Sequence, residues 1–406
     1  MFQQFTSPLP LSLYIHIPWC VRKCPYCDFN SHESRSEIPE AQYVDALLRD
    51  LEQDLPRVWG RRLHSIFFGG GTPSLFSPEA IDRLLSGVRS YLPFMADIEI
   101  TMEANPGTAE ARKFKGFRDA GVNRLSIGVQ SFNPGHLQRL GRIHGELEAR
   151  RAAEWALDAG FSNFNLDLMH GLPDQSVADA LRDLESAIAL KPSHLSWYQL
   201  TIEPNTRFAF DPPALPDDEV LSDIQEAGHA LLQASGYPRY EVSAYAPADR
   251  RALHNLNYWQ FGDYLGIGAG AHGKLTDLQQ QRAYRLHKKK HPKDYLAAAD
   301  SVVAGGFIAG ETAISADDMP FEFMMNALRL VDGVPAHFYQ ARTGLRPEAL
   351  NPILQRARHE GLLQADANLF AATETGLRYL NSVLHRFMPD ELQRAGANKI
   401  IPIVSG

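Results

Sequence analysis

The stretch YIHIPWCVRKCPYCDF, residues 14–29, decides the reading of this chain. An apolar, β-branched run from Leu13 to Ile17 leads directly into Cys20, Cys24 and Cys27, a C-x3-C-x2-C pattern. The chain has three cysteines, and an odd number within eight residues is a poor disulfide framework. They read as metal ligands. A fully extended chain would set Cys20 and Cys24 about 14 Å apart, so the segment must curl if its thiolates are to share one centre. Structural zinc asks for four ligands and usually takes paired C-x2-C spacings; His32 could supply a fourth.

On either side of this stretch, short β-branched runs alternate with longer segments whose apolar residues recur at three- and four-residue spacing. The expected strands are Leu13–Ile17, Ser65–Phe68, Ile98–Met102, Arg124–Val129, Asn165–Met169 and His194–Gln199. Strands joined by helices run parallel with right-handed crossovers. Polar and glycine residues follow them in turn: Cys20–Cys27 after the first, Gly69–Gly71 after the second, Glu103 after the third and Gln130 after the fourth, with Asp167 in the fifth. Such residues at successive strand ends are what the active face of a barrel needs. The expected fold is therefore α/β, a partial (β/α)6 barrel over residues 1–215, with a small, mainly helical C-terminal domain over 306–406 that includes a strand-like piece near Leu363–Phe370. Between them, residues 216–305 are expected to form an extension packed on the barrel. It carries a helix near Asp217–Ser235, the segment HNLNYW (254–259) and the Gly-rich GDYLGIGAGAHG (262–273).

With 406 residues, 44% of them hydrophobic, the chain can bury a large core. Its net charge of -8 is spread without acidic or basic blocks, so nothing calls for nucleic acid or an anionic membrane surface. The first residues lack a positive n-region, Pro8, Pro10 and Pro18 interrupt their apolar run, and no apolar stretch is long enough for a bilayer. A cytoplasmic protein acting on small molecules is expected. No general acid/base pair or Ser-His-Asp set supports a hydrolase, and no catalytic residue is assigned.

Three thiolates on an iron–sulfur cubane leave one iron open to the amine and carboxylate of a small molecule, and S-adenosylmethionine (SAM) offers both. YIHIPWCVRKCPYCDF, FFGGGTPS, TMEANP and SIGVQSF, in this order over roughly the first half of the chain, resemble the radical SAM family that includes oxygen-independent coproporphyrinogen III oxidase. Within it the sequence is most similar to the haem chaperone subgroup. Phe29 stands where the oxidase type has a further cysteine, the nineteen residues before Cys20 are fewer than in the oxidases, and HNLNYW resembles the H-N-x-x-Y-W motif of the chaperones.

The resemblance implies a radical SAM barrel, a 4Fe-4S cluster on Cys20, Cys24 and Cys27, and SAM on the fourth iron, cleaved to methionine and a 5'-deoxyadenosyl radical. Gly70 and Gly71 would let the backbone approach the methionine amine, and Thr72 would add a hydroxyl. Glu103 and Asp167 would accept from ribose hydroxyls or an ammonium, Gln130 would offer its amide, and Arg142 would meet the carboxylate. Tyr14 would reach the carboxylate or cluster, and Tyr26 would lie near the adenine. Taken singly, a Gly-Gly-Gly run is a common turn, Arg142 a solvated helix residue, Asp167 a cap or turn residue and Tyr26 ordinary packing.

Haem, the third cofactor implied, would need a histidine once the cysteines are assigned. His254 in HNLNYW is the first candidate and His272 the second; the bland reading of His254 is a hydrogen-bonded histidine at a domain junction. The run HKKKHPK (287–293) could meet haem propionates or form a solvated basic turn. The expected partners are haem and a haem-accepting protein, without nucleic acid; peripheral membrane contact through the acceptor and a homodimer are both compatible with this reading. The alternative is the oxidase, which decarboxylates coproporphyrinogen propionates, and SAM-binding residues do not exclude another radical substrate.

Overall fold

The structure is a computed structural model that describes residues 3–34, 36–107, 110, 112–300 and 305–389. The repeat begins with β1 (Leu11–Ile17), α1 (Glu40–Val58), β2 (Leu63–Gly70), α2 (Pro78–Tyr91), β3 (Phe94–Ala104), α3 (Phe114–Ala120) and β4 (Arg124–Gln130). It continues through α4 (Pro134–Arg139), α5 (Glu146–Asp158), β5 (Phe164–His170), α6 (Val177–Ala189) and β6 (His194–Gln199). Strands β1 to β6 pair in sequence order, all parallel. Ser77 caps α2, and Ser176 caps α6 within a capping box closed by Asp179.

Alternation along the strands separates two layers. Leu13 and Ile15 of β1, Ile66 and Phe68 of β2, Ile127 of β4 and Leu166 of β5 pack with Leu47, Leu84, Phe117 and Leu184 of the helices in one buried core. The intervening positions of β1, β4, β5 and β6 are polar: Ser12, Tyr14, His16, Ser126, Asn165, Asp167, His194 and Ser196. Those side chains face one another inside the partial barrel.

Beyond β6, α7 (Asp218–Ala234, capped by Asp217) leads to β7 (Arg239–Glu241) and β8 (Ala244–Tyr245), which close the β6 edge. After α8 (Leu253–Trp259) come β9 (Asp263–Ile267), β10 (His272–Asp277), β11 (Arg282–Lys288), α9 (Pro292–Ala299) and β12 (Ile308–Ala313). The segment expected to pack on the barrel thus enters its sheet. β9 pairs parallel with β1, and β10 to β12 follow antiparallel, in a 12-stranded order β12-β11-β10-β9-β1-β2-β3-β4-β5-β6-β8-β7. Residues Ile308–Ala313, assigned from sequence mostly to the helical region, are a strand.

In the HKKKHPK run His287 and Lys288 end β11, while Lys290, His291 and Lys293 are exposed in the turn into α9. Lys288 is buried and donates to Asp50 and Asp54 of α1 at 2.5 Å each, while Asp50 also accepts from Tyr295 Oη at 2.6 Å. His291 caps α9. A buried cation between two carboxylates fastens β11 to α1, because separating them would strand charge in the interior.

The C-terminal region is mainly helical, with Met319–Ala327, His337–Thr343, Asn351–His359, Glu374–Arg378 and Leu380–His385, and a short pairing of Val334–Pro335 with Leu369–Phe370. Its core takes in Phe323, Met324, Tyr339, Leu354 and Phe370, together with Phe5, Tyr240, Trp259 and Phe261 from earlier in the chain. The HNLNYW helix therefore sits where the two cores meet.

Candidate functional site

The cysteine loop is clasped at its base. Trp19–Cys20 pairs with His32–Glu33, His32 N–H donates to the Pro18 carbonyl at 2.7 Å, and Ser34 N–H donates to the Cys20 carbonyl at 2.9 Å. A turn within the loop brings Cys27 N–H to the Cys24 carbonyl at 3.2 Å. This is the curl that the spacing demanded. Each sulfur has a polar neighbour: Thr72 Oγ1 at 3.6 Å from Cys20, Ser31 Oγ at 3.7 Å from Cys27, and Arg142 Nη1 at 3.7 Å from Cys24. Burial pushes the Cys20 thiol up to about 11 and raises that of Cys27, so metal loading must displace protons. Among the described residues no three His, Cys, Asp or Glu side chains converge on a single metal ion, whereas in a cubane each thiolate meets an iron of its own.

The glycine loop after β2 presses on this loop's entrance. Gly70 has φ +115°, and a Cβ there would lie 2.5 Å from the His16 ring; one on Gly71 would lie 2.5 Å from the Trp19 carbonyl oxygen. Only glycine fits these two positions. Gly71 and Thr72 N–H donate to the Ile17 and Trp19 carbonyls, each at 2.7 Å. Thr72 Oγ1 faces Cys20 and accepts from Asn105 Nδ2 at 3.1 Å, so its hydroxyl serves the protein's own ligand loop.

Glu103 lies next to the end of β3, half-buried at the barrel mouth. Its Oε2 accepts from Gly70 N–H at 3.1 Å, and burial first, then the Asp167 carboxylate, lift its pKa to about 8. Asp167 accepts from Ser126 Oγ and Asn165 Nδ2, both at 2.8 Å, and is also raised, mainly by burial. Two half-buried carboxyls that repel each other are suited to a cationic ligand, whose charge would favour ionisation. SAM carries a sulfonium. Gln130, at φ +67° where the β4–β5 register slips, accepts from Tyr198 Oη at 2.7 Å.

Arg142 is not a solvated helix residue. Its guanidinium lies beside Cys24, with Nη2 donating to Asn105 Oδ1 at 2.7 Å and the Gly128 carbonyl at 2.6 Å, while its buried Nε lacks a partner. That orphaned donor, the glycine cradle and the carboxyl pair fit SAM on a cluster. Tyr14 Oη is hydrogen-bonded to His16 Nδ1 at 3.0 Å, and His16 Nε2 to the Asn30 carbonyl at 2.9 Å. Tyr26 packs against Phe208, ring centroids 6.3 Å apart. The structure thus gathers Gly70, Gly71, Glu103 and Arg142 round the cysteine loop, with Gln130 and Asp167 at adjoining strand positions; Tyr14 and Thr72 brace the cradle, and half-buried Tyr26 lies beside Cys24 and Arg142 with its ring against Phe208.

Sequence reasoning missed His16, Asn30 and Asn105. The periodicity of Ser12, Tyr14 and His16, polar at every second residue of an apolar strand, was the available signal for His16.

His254 is 1% exposed, and both ring nitrogens are taken, Nδ1 by Ser65 Oγ at 2.9 Å and Nε2 by Tyr258 Oη at 2.8 Å. The geometry supports the hydrogen-bonded junction histidine rather than an iron ligand. His272 is exposed at the start of β10, directly opposite His287 on β11.

A parallel barrel with a three-cysteine loop after its first strand and a glycine cradle after its second defines a radical SAM protein. The description "Radical SAM superfamily" matches residues 14–187, and "HemN C-terminal domain" matches residues 314–379. The heme chaperone HemW of Escherichia coli (strain K12) is 54% identical over 381 residues, covering 94% of this chain and 99% of that protein. HemW of Haemophilus influenzae is 52% identical (94% and 99% covered), and HemW of Bacillus subtilis 33% (93% and 99%). The solved coproporphyrinogen III oxidase HemN of Escherichia coli superposes with a TM-score of 0.78 at 26% identity, covering 94% of this chain and 90% of that one. The chain belongs to the HemW family of radical SAM proteins. Among the described residues no helix is long and apolar enough to cross a membrane.

Proposed function

We propose that this chain is a cytoplasmic haem chaperone that binds haem and passes it to an acceptor protein, with a 4Fe-4S cluster and SAM as its resident cofactors. Identity of 54% to a heme chaperone over nearly the whole of both chains, against 26% to the oxidase, carries the reading. The oxidase is the weaker alternative, since Phe29, 44% exposed beside the ligand loop, occupies the position where that type has its further cysteine.

In this reading Cys20, Cys24 and Cys27 would hold the cluster, which when bound would offer an open iron to SAM and supply the electron for its reductive cleavage. Gly70 and Gly71 admit the methionine moiety, Arg142 takes the carboxylate with its free Nε, and Glu103, Gln130 and Asp167 line the nucleoside side. Thr72, Asn105 and His16 are positioning residues. Titration of anaerobically reconstituted protein with haem tests the proposal: a stoichiometric Soret change at micromolar haem is expected, and no binding at that concentration would overturn it.

A further inference from the structure

One row of side chains runs across the sheet from the SAM cradle toward its open edge. Tyr14 pairs in register with Gly266 of β9, His272 of β10 pairs with His287 of β11, and His287 pairs with Gly310 of β12. The positions on the opposite face of β10 and β11, Leu275, Tyr284 and Leu286, are in the core against the helices, and Lys288 is held by α1. Strand alternation therefore turns His272 and His287 to the same face as Tyr14 and His16.

Two glycines make room for this pair. A Cβ on Gly266 would lie 2.0 Å from the His272 carbonyl oxygen, and one on Gly310 would lie 2.3 Å from His287 Cε1. The two imidazoles stack with centroids 5.6 Å apart and an interplanar angle of 25°. His16, His194 and His254 each engage both ring nitrogens within the protein. His272 and His287 engage neither among the described residues. Accessible imidazoles that are not spent on the protein are the ones left for a metal.

The surroundings choose the ligand. The imidazole of His272 opens to solvent at the strand end, while partial desolvation by its neighbours and then the nearby His287, Lys290 and Arg285 lower its pKa. Such a cationic neighbourhood penalises a bare divalent ion but suits iron carried by a dianionic porphyrin. Arg285 is already paired with Glu322, whereas Lys290 is exposed.

We propose that haem docks on the His272–His287 pair, with a ring nitrogen of His272 as axial ligand to the iron and Lys290 meeting a propionate. This rests on the haem-binding reading and gives it a place. It also puts haem beside the cluster loop, since Asn30 Nδ2 donates to the Ala269 and Lys290 carbonyls at 2.9 and 2.8 Å, on the two segments that flank the histidines.

The test is an anaerobic haem titration of cluster-loaded wild type, His272→Ala, the His272→Ala/His287→Ala double variant and Lys290→Glu, with cluster absorbance confirming the fold of each. Filling the cluster keeps Cys20, Cys24 and Cys27 from competing. His272→Ala is expected to bind haem at least tenfold more weakly with a shifted Soret band that free imidazole restores, and Lys290→Glu about threefold more weakly. Wild-type affinity and spectrum in the double variant would overturn this site while leaving haem binding intact. Absence of haem binding by wild type would instead overturn the haem reading on which it rests.

Discussion

Replacing Glu103 with glutamine should make the ligand-free protein more stable, by an amount set by pH. The half-buried carboxyl has its pKa lifted from 4.5 to about 8, by desolvation first and the Asp167 carboxylate second. The folded state therefore keeps this proton longer than the unfolded chain does. Stability from this group is fully present below about pH 4.5 and is lost as pH rises toward 8. At about 1.4 kcal/mol per pH unit, the shift removes about 3 kcal/mol of stability by pH 7, where the folded carboxyl still holds its proton, and about 5 kcal/mol above pH 8, where it ionises. Glutamine keeps an oxygen for the Gly70 N–H and removes the charge. With an unfolding entropy of about 2 cal/mol/K per residue, the gain at pH 7 corresponds to a Tm rise of about 4 °C. Melting curves of both proteins from pH 5 to 9 should nearly coincide at pH 5 and diverge upward, with the variant the more stable. With SAM added the order should reverse near pH 8, where its sulfonium stabilises the ionised wild-type carboxyl. Parallel curves across the range would refute the electrostatic account of this site.

Three further outcomes follow from contacts in the same molecule. Lys288→Ala should lower stability by about 3–5 kcal/mol, because Asp50 and Asp54 lose their buried cation; chemical denaturation showing less than 1 kcal/mol would contradict the fastening of β11 to α1. Arg142→Lys removes the planar fork shared by Cys24, Asn105 and Gly128 and should weaken SAM affinity at least tenfold while the iron content stays near wild type; equal SAM affinity by calorimetry would count against its role. Asn30→Ala should release iron to a chelator several-fold faster, since the ligand loop loses its tie to residues 269 and 290, and an unchanged rate would show that the base clasp alone suffices.

The six barrel strands were legible because β-branched runs recur between helical periods: His194–Gln199 was read to the residue, and the Asn165–Met169 reading falls inside Phe164–His170. β9 to β12 were not. Their glycines at 266 and 273 and buried charges at Asp263, Lys274 and Lys288 look like loop composition, and the ion pairs that satisfy them, Lys274 with Asp263 across β9 and β10 and Lys288 with Asp50 of α1, form only once the chain is folded. The cysteine spacing and the glycine cradle could be read locally, since each works through its own backbone. Arg142 could not be told from a surface residue, because what fixes it, Cys24 and Asn105, lies far away in sequence. His254 sits in the most conspicuous motif of the second half, yet its neighbours Ser65 and Tyr258 occupy both its nitrogens.

The central claim is that this radical SAM site serves haem handling rather than porphyrinogen oxidation. Its most direct test offers one anaerobically reconstituted, reduced sample haem in one portion and coproporphyrinogen with SAM in another. One equivalent of bound haem with no decarboxylated product is the predicted result; turnover of coproporphyrinogen to decarboxylated porphyrinogen without haem binding would contradict it.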